Sequence, residues 1–112
     1  MNATKTLRRH AVAIFKAALQ AADPAGAVER HLARLSRTRR YSRSKKIYVI
    51  GAGKAGASMA RAAERVLGNR IAAGLINVKD GHLAKLRRIE LDECGHPVPD
   101  ERGLENVDRV MA

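Results

Sequence analysis

Lys46-Ile47-Tyr48-Val49-Ile50-Gly51-Ala52-Gly53-Lys54-Ala55-Gly56 is the stretch that decides the fold. Ile47 to Ile50 is a short run of β-branched and aromatic residues without polar alternation, the pattern of a strand buried on both faces. The glycines that follow have the spacing G-x-G-x-x-G, and Lys54 to Leu67 reads as a helix ended by Gly68-Asn69. Strand, glycine turn and helix, in that order, open a parallel α/β sheet.

Downstream the pattern repeats without its second helix. Gly74 to Lys79 reads as a second strand leading into Asp80-Gly81-His82. A third, Ile89 to Cys94, alternates Ile89 and Leu91 with Glu90 and Asp92. After Gly95-His96-Pro97-Val98-Pro99, Asp100 can cap a last helix whose Leu104, Val107 and Met111 share a face. Upstream, Thr4 to Ala22 is an amphipathic helix with Leu7, Ala11, Ile14, Phe15, Ala18 and Leu19 on one side. Asp23-Pro24 ends it and starts another, aspartate as N-cap and proline at the first helical position, with Val28, Leu32 and Leu35 on one side. Ser36 to Ser44 keeps no apolar periodicity and reads as a solvated connection.

The expected fold class is therefore α/β: a truncated Rossmann-like parallel sheet preceded by two helices. Residues 1–45 form a helical segment with a basic connection, and residues 46–112 an incomplete Rossmann-like domain. Three strands and an unfinished helix do not complete such a sheet, and the pattern stops in mid-course at Met111-Ala112. The expectation is the front part of a longer protein.

Composition narrows the class. In 112 residues there is one cysteine, Cys94, so no internal disulfide framework exists and a reducing, cytoplasmic setting is expected. No apolar run approaches the roughly 20 residues of a membrane span, and the N-terminus lacks the apolar core of a secretory signal. The net charge of +11 is uneven: residues 1–46 hold twelve Lys/Arg against two acids, residues 47–112 ten against nine. Seven basic residues lie between Arg34 and Lys46 with no acid among them. Nucleic acid is not the expected partner, because only Tyr41 interrupts that tract and single-strand binders stack bases on several aromatics.

Chemistry concentrates at three turns following strands, where open parallel sheets place their ligands. Gly51-Ala52-Gly53 opens a helix whose free amides and dipole favour an anion; a tight turn that merely packs helix on strand is the plainer reading. A Walker loop is excluded, since Tyr48 stands five positions before Gly53 and Ala55 follows Lys54. Lys54 at a helix start opposes the dipole, which an anion would reverse; otherwise it is a solvated lysine. Asp80 lies roughly where a dinucleotide-binding fold places its ribose acid. Gly81 and His82 follow strand two; Gly95 and His96 follow strand three on a proline-stiffened loop. A lone histidine is more often structural, which is the plainer reading of both, and His10 and His31 read as surface residues. Cys94 and His96 do not make a dependable nucleophile and base, and no metal-ligand spacing is present.

Taken together, these motifs resemble the type II glycerate kinases, the glycerate 2-kinases with a MOFRL-type C-terminal domain. The resemblance rests on Phe15 to Pro24, on Val49-Ile50-Gly51-Ala52-Gly53-Lys54-Ala55 with Met59-Ala60, on Gly74-Leu75-Ile76 leading to Lys79-Asp80-Gly81-His82, and on Gly95-His96-Pro97-Val98-Pro99-Asp100. It runs over nearly the whole chain. It implies phosphorylation of D-glycerate to 2-phosphoglycerate by ATP with Mg2+, in a cleft between a Rossmann-like domain and a smaller C-terminal domain. It places the catalytic lysine on Lys54, with Gly51, Ala52, Gly53, Gly81, His82, Gly95 and His96 binding substrate or nucleotide and no protein metal ligand. Asn77, Asp80 and the basic tract depart from the family's pattern, and the remaining sheet and C-terminal domain, with its catalytic arginine, are missing. On that basis the chain alone is expected to be inactive. Two other readings stand beside it: an NAD(P)-dependent hydroxypyruvate reductase-like enzyme, and a non-enzymatic nucleic-acid binder built on the basic tract.

Overall fold

The computed structural model describes residues 2–112. Helices α1 (Ala3–Ala21), α2 (Pro24–Leu35) and α3 (Arg39–Arg43) precede strand β1 (Ile47–Ala52). Then come α4 (Gly56–Leu67), a 3-10 turn (Gly68–Arg70), β2 (Ile71–Lys79), β3 (Ile89–Cys94) and α5 (Glu101–Met111). The three strands form one parallel sheet in the order β1-β2-β3. The α/β class and parallel sheet expected from the sequence are therefore what the chain adopts.

Register divides the sheet into two faces. Paired residues on neighbouring parallel strands point the same way, so Gly51, Ile76 and Leu91 share one face and Ile50, Leu75 and Glu90 the other. The first face meets α4, where Ala60, Ala63 and Leu67 close over Ile71, Ile76, Val78 and Ile89. The alanines keep the layers close. At Gly56 a Cβ would stand 2.7 Å from Ile76 Cγ2 and 3.0 Å from Val78 Cγ1, so the start of α4 requires glycine. The motif's third glycine thus serves the packing of helix on strand. Outside α4 lies α2, with Val28 and Leu32 against the core and Glu29 accepting from Arg65.

The segment between β2 and β3 is tied to α4 by one carboxylate. Glu64 accepts from the backbone amides of Arg87 (3.0 Å), Arg88 (2.7 Å) and Ile89 (3.0 Å). Partial burial raises its pKa, but these three amides lower it by more, and the carboxyl titrates below its ordinary value. Nothing in the hydrophobic pattern marked Glu64 for this role.

Helix α5 covers the opposite face. Asp100 caps it by accepting from Gly103 N (3.4 Å), as its position suggested. The face turned to the sheet is not the apolar one. Asn106 is buried, whereas Leu104, Val107 and Met111 are exposed. Arg109 reaches across to Glu90 and Asp92 on β3, ion pairs compatible with this rotation.

Other boundaries also shift. The solvated connection over Ser36 to Ser44 contains α3: Thr38 Oγ1 accepts from Tyr41 N (3.3 Å), and Arg70 stacks over the Tyr41 ring at 4.3 Å. Thus Tyr41, the tract's one aromatic, anchors it to the core. Strand β1 continues through Gly51 and Ala52, pairing with Ile76 and Asn77, and α4 begins two residues later than its periodicity predicts. Lys54 therefore precedes the helix and does not sit in its first turn. Strand β2 starts at Ile71, three residues early, because Ile71 is wholly buried beside α4. The apolar stripe of α1 is uncovered, with Leu7, Ile14, Phe15 and Leu19 more than half exposed.

Candidate functional site

The carboxyl ends of the three strands open onto a cleft of about 280 Å3. The β1–α4 turn supplies Ala52, Gly53 and Lys54; β2 supplies Asn77, Val78 and Lys79; β3 and the loop after it supply Cys94, Gly95 and His96. Five of the residues singled out by sequence therefore line one cavity: Ala52, Gly53, Lys54, Gly95 and His96. Three do not. Gly51 lines an apolar groove between β1, α2 and α4 instead. Gly81 and His82 lie in the turn beyond β2, where Gly81 N donates to Glu93 Oε2 (2.7 Å) and His82 Nδ1 sits 3.1 Å from the Asp80 carbonyl.

Each wall has its own support. Gly53 N donates to the Asn77 carbonyl (2.9 Å), which holds the turn against the end of β2. The N-cap of α4 is Ala55, so no side chain caps the helix that opens beside Lys54. At Gly95 a Cβ would stand 2.6 Å from the Val98 carbonyl oxygen and 2.8 Å from Asp100 Oδ2, so only glycine lets the loop fold this tightly. The His96–Pro97 bond is cis.

Asn77 and Lys79 escaped the motif reading as site residues because they sit within a strand. Their signal is the two-residue period that puts them beside Ala52 and Cys94 on one face. Asn77 Oδ1 is buried without a hydrogen-bond partner, a carbonyl oxygen awaiting a donor. Cys94 directs its thiol to the Val78 carbonyl, 3.6 Å away.

Asp80 is committed elsewhere. Its two oxygens each accept from Arg102 at 2.8 Å, and the same guanidinium bonds Asp100 Oδ2 (Nε 3.1 Å, Nη2 2.7 Å). The Arg102 hydrogen bonds hold the Asp80 and Asp100 carboxyls below the usual carboxylate range, and Arg102 is raised in turn. This triad fastens the turn after β2 to the start of α5. It also occupies the carboxylate that a bound ribose would need.

Chemically, the cleft is a cationic half-site: two lysines, one histidine and an uncapped helix start on one wall of a cavity. No carboxylate lines it, and among the described residues no three His, Cys, Asp or Glu gather to hold a metal ion.

Comparison with known proteins places this half-site in context. Residues 10–112 match the family described as "Domain of unknown function (DUF4147)". A Thermotoga maritima D-glycerate 2-kinase is 34% identical over 108 residues, covering 96% of this chain and 24% of the relative. An Agrobacterium vitis protein with a provisional hydroxypyruvate reductase name is 36% identical over 112 residues, 100% of this chain and 23% of the relative. The solved Thermotoga maritima glycerate kinase (EC 2.7.1.31) superimposes with a TM-score of 0.83 at 33% identity, over 96% of this chain and 24% of that one. The chain thus spans about a quarter of the length of these relatives.

Proposed function

This chain belongs to the DUF4147 domain family, and from that premise we propose that it is the N-terminal part of a glycerate 2-kinase. The reaction is transfer of the terminal phosphoryl group of ATP to D-glycerate, giving 2-phosphoglycerate. The supporting observation is Lys54, held before an uncapped helix at the mouth of a cleft that carries no carboxylate. Phosphoryl transfer asks mainly for positioning and cancelled charge, and a lysine beside free amides supplies both. Lys54 is the catalytic residue in this reading. Gly51, Ala52, Gly53, Gly81, His82, Gly95 and His96 shape the loops that bind nucleotide or substrate.

The residues present fit an anion and do not fit the Mg2+ that accompanies ATP: cations and an amide line the cleft, and a hard divalent metal needs oxygen ligands, carboxylates above all. Residues 1–45 act as the leading helical segment and residues 46–112 as the incomplete Rossmann-like domain. The C-terminal domain of the longer relatives supplies the opposite wall.

Grafting residues 1–112 in place of the matched quarter of the Thermotoga protein tests the reading. The expected result is ATP-dependent formation of 2-phosphoglycerate, lowered by about 100-fold or more in Lys54→Met. Hydroxypyruvate reduction at the expense of NADH or NADPH, without ATP-dependent product, overturns it. The 112-residue chain on its own is expected to form no 2-phosphoglycerate. The Arg102 fork on Asp80 speaks against the reductase reading, because the ribose acid is already engaged.

A further inference from the structure

We propose that Lys79 is the second arm of a clamp with Lys54, and that their shared cleft takes a phosphoryl group in preference to a carboxylate. The inference deepens the kinase reading and rests on it for the identity of the donor. Lys79 is the last residue of the central strand and lines the same cleft as Lys54. It is half-buried, and among the described residues no carboxylate pairs with it. The acids around it are otherwise engaged: Asp80 with Arg102, Glu93 with the Gly81 amide, and Asp92, on the same sheet face, with Arg109. Among the described residues Lys54 likewise has no ion pair. Two lysines therefore line one small cavity that no carboxylate lines, beside a helix start that adds to the same potential.

Charge count selects the ligand. A hydroxy acid brings one negative charge and would leave one lysine uncompensated. A phosphoryl group brings close to two, with three oxygens that can accept from both ammonium groups and from the turn amides at once. The N-terminal quarter of the fold thus grips the transferred group, and the hydroxy acid is left to the opposite wall.

Pyrophosphate and D-glycerate, each titrated into the purified 112-residue chain, provide the test, with binding followed by the backbone amide resonances of Gly53, Lys54, Gly95 and His96. Pyrophosphate is expected to move those four signals and to bind at least about tenfold more tightly than D-glycerate. Lys54→Gln and Lys79→Gln should each weaken pyrophosphate about tenfold or more. Lys79→Arg should retain binding, and Lys45→Gln, in the basic tract, should leave it unchanged. Equal affinity for the two ligands, an unaffected Lys79→Gln chain, absence of binding, or shifts gathered over Arg34 to Lys46 would each overturn the clamp. Amide spectra of the variants show whether they are folded. An active graft whose parent fragment ignores pyrophosphate refutes the clamp alone. A graft that works as a reductase refutes the kinase reading and leaves the pyrophosphate measurement standing.

Discussion

Helix α4 lays alanines and leucine on a face made of Ile76, Val78 and Ile89, while α5 lays a buried asparagine and an arginine on a face edged by Glu90 and Asp92. Both helices are amphipathic by sequence, yet only α4 turns its apolar side inward. Apolar contact is short-ranged and close-packed, so the α4 face tolerates no extra atom at Gly56. The α5 face is held at its rim by charges half open to water, where each pair contributes little. One side of the sheet is the core of the chain; the other is a surface on which a helix rests.

Substitutions should separate the faces, most strongly on the α4 side. Gly56→Val drives a side chain into Ile76 and Val78 and is expected to cost about 3 kcal/mol in chemical denaturation. Glu64→Ala removes the acceptor of three backbone amides and should cost about 2 kcal/mol. Its pH dependence has a definite sign. The folded-state pKa lies below the ordinary 4.5, so the stabilisation is complete above that value and is lost as pH falls through the lower one. Glu64→Gln should flatten that part of the profile. Arg109→Ala, on the α5 face, should cost less than either, by an amount that shrinks as salt is added. Leu104→Ser, on an exposed helix position, should change stability by less than about 0.5 kcal/mol. If Arg109→Ala unfolds the chain as readily as Gly56→Val, the contrast between the faces is wrong.

Local signals carried most of this architecture. The glycine turn, Asp23-Pro24 and Asp100 each state their role within a few residues; Ile47 to Ile50 marked a strand but not its burial, because β1 lies at the sheet edge with Tyr48 and Ile50 exposed. Tertiary effects moved the edges. Arg70 over Tyr41 holds the basic tract in a helical turn although it has no apolar period. Pairing with Ile76 and Asn77 keeps Gly51 and Ala52 in the strand. At the cleft, turn residues were legible because glycine and proline mark turns, so Gly53, Lys54, Gly95 and His96, which line it, could be picked out from the sequence. Lys79 and Asn77 were not singled out as site residues, because a strand position reveals its direction only when register is known. The commitment of Asp80 to Arg102 spans twenty-two residues and leaves no local trace.

Strand β1 lies at one edge of the sheet, with Tyr48 and Ile50 each 66% exposed. A bare strand edge flanked by apolar side chains is a template on which further strands can grow. Lys45 and Lys46 stand at its entrance, at the end of the basic tract. Their like charge would oppose the approach of a second copy along that edge. For this chain the basic tract thus bears on how two copies would meet, and added salt would screen it.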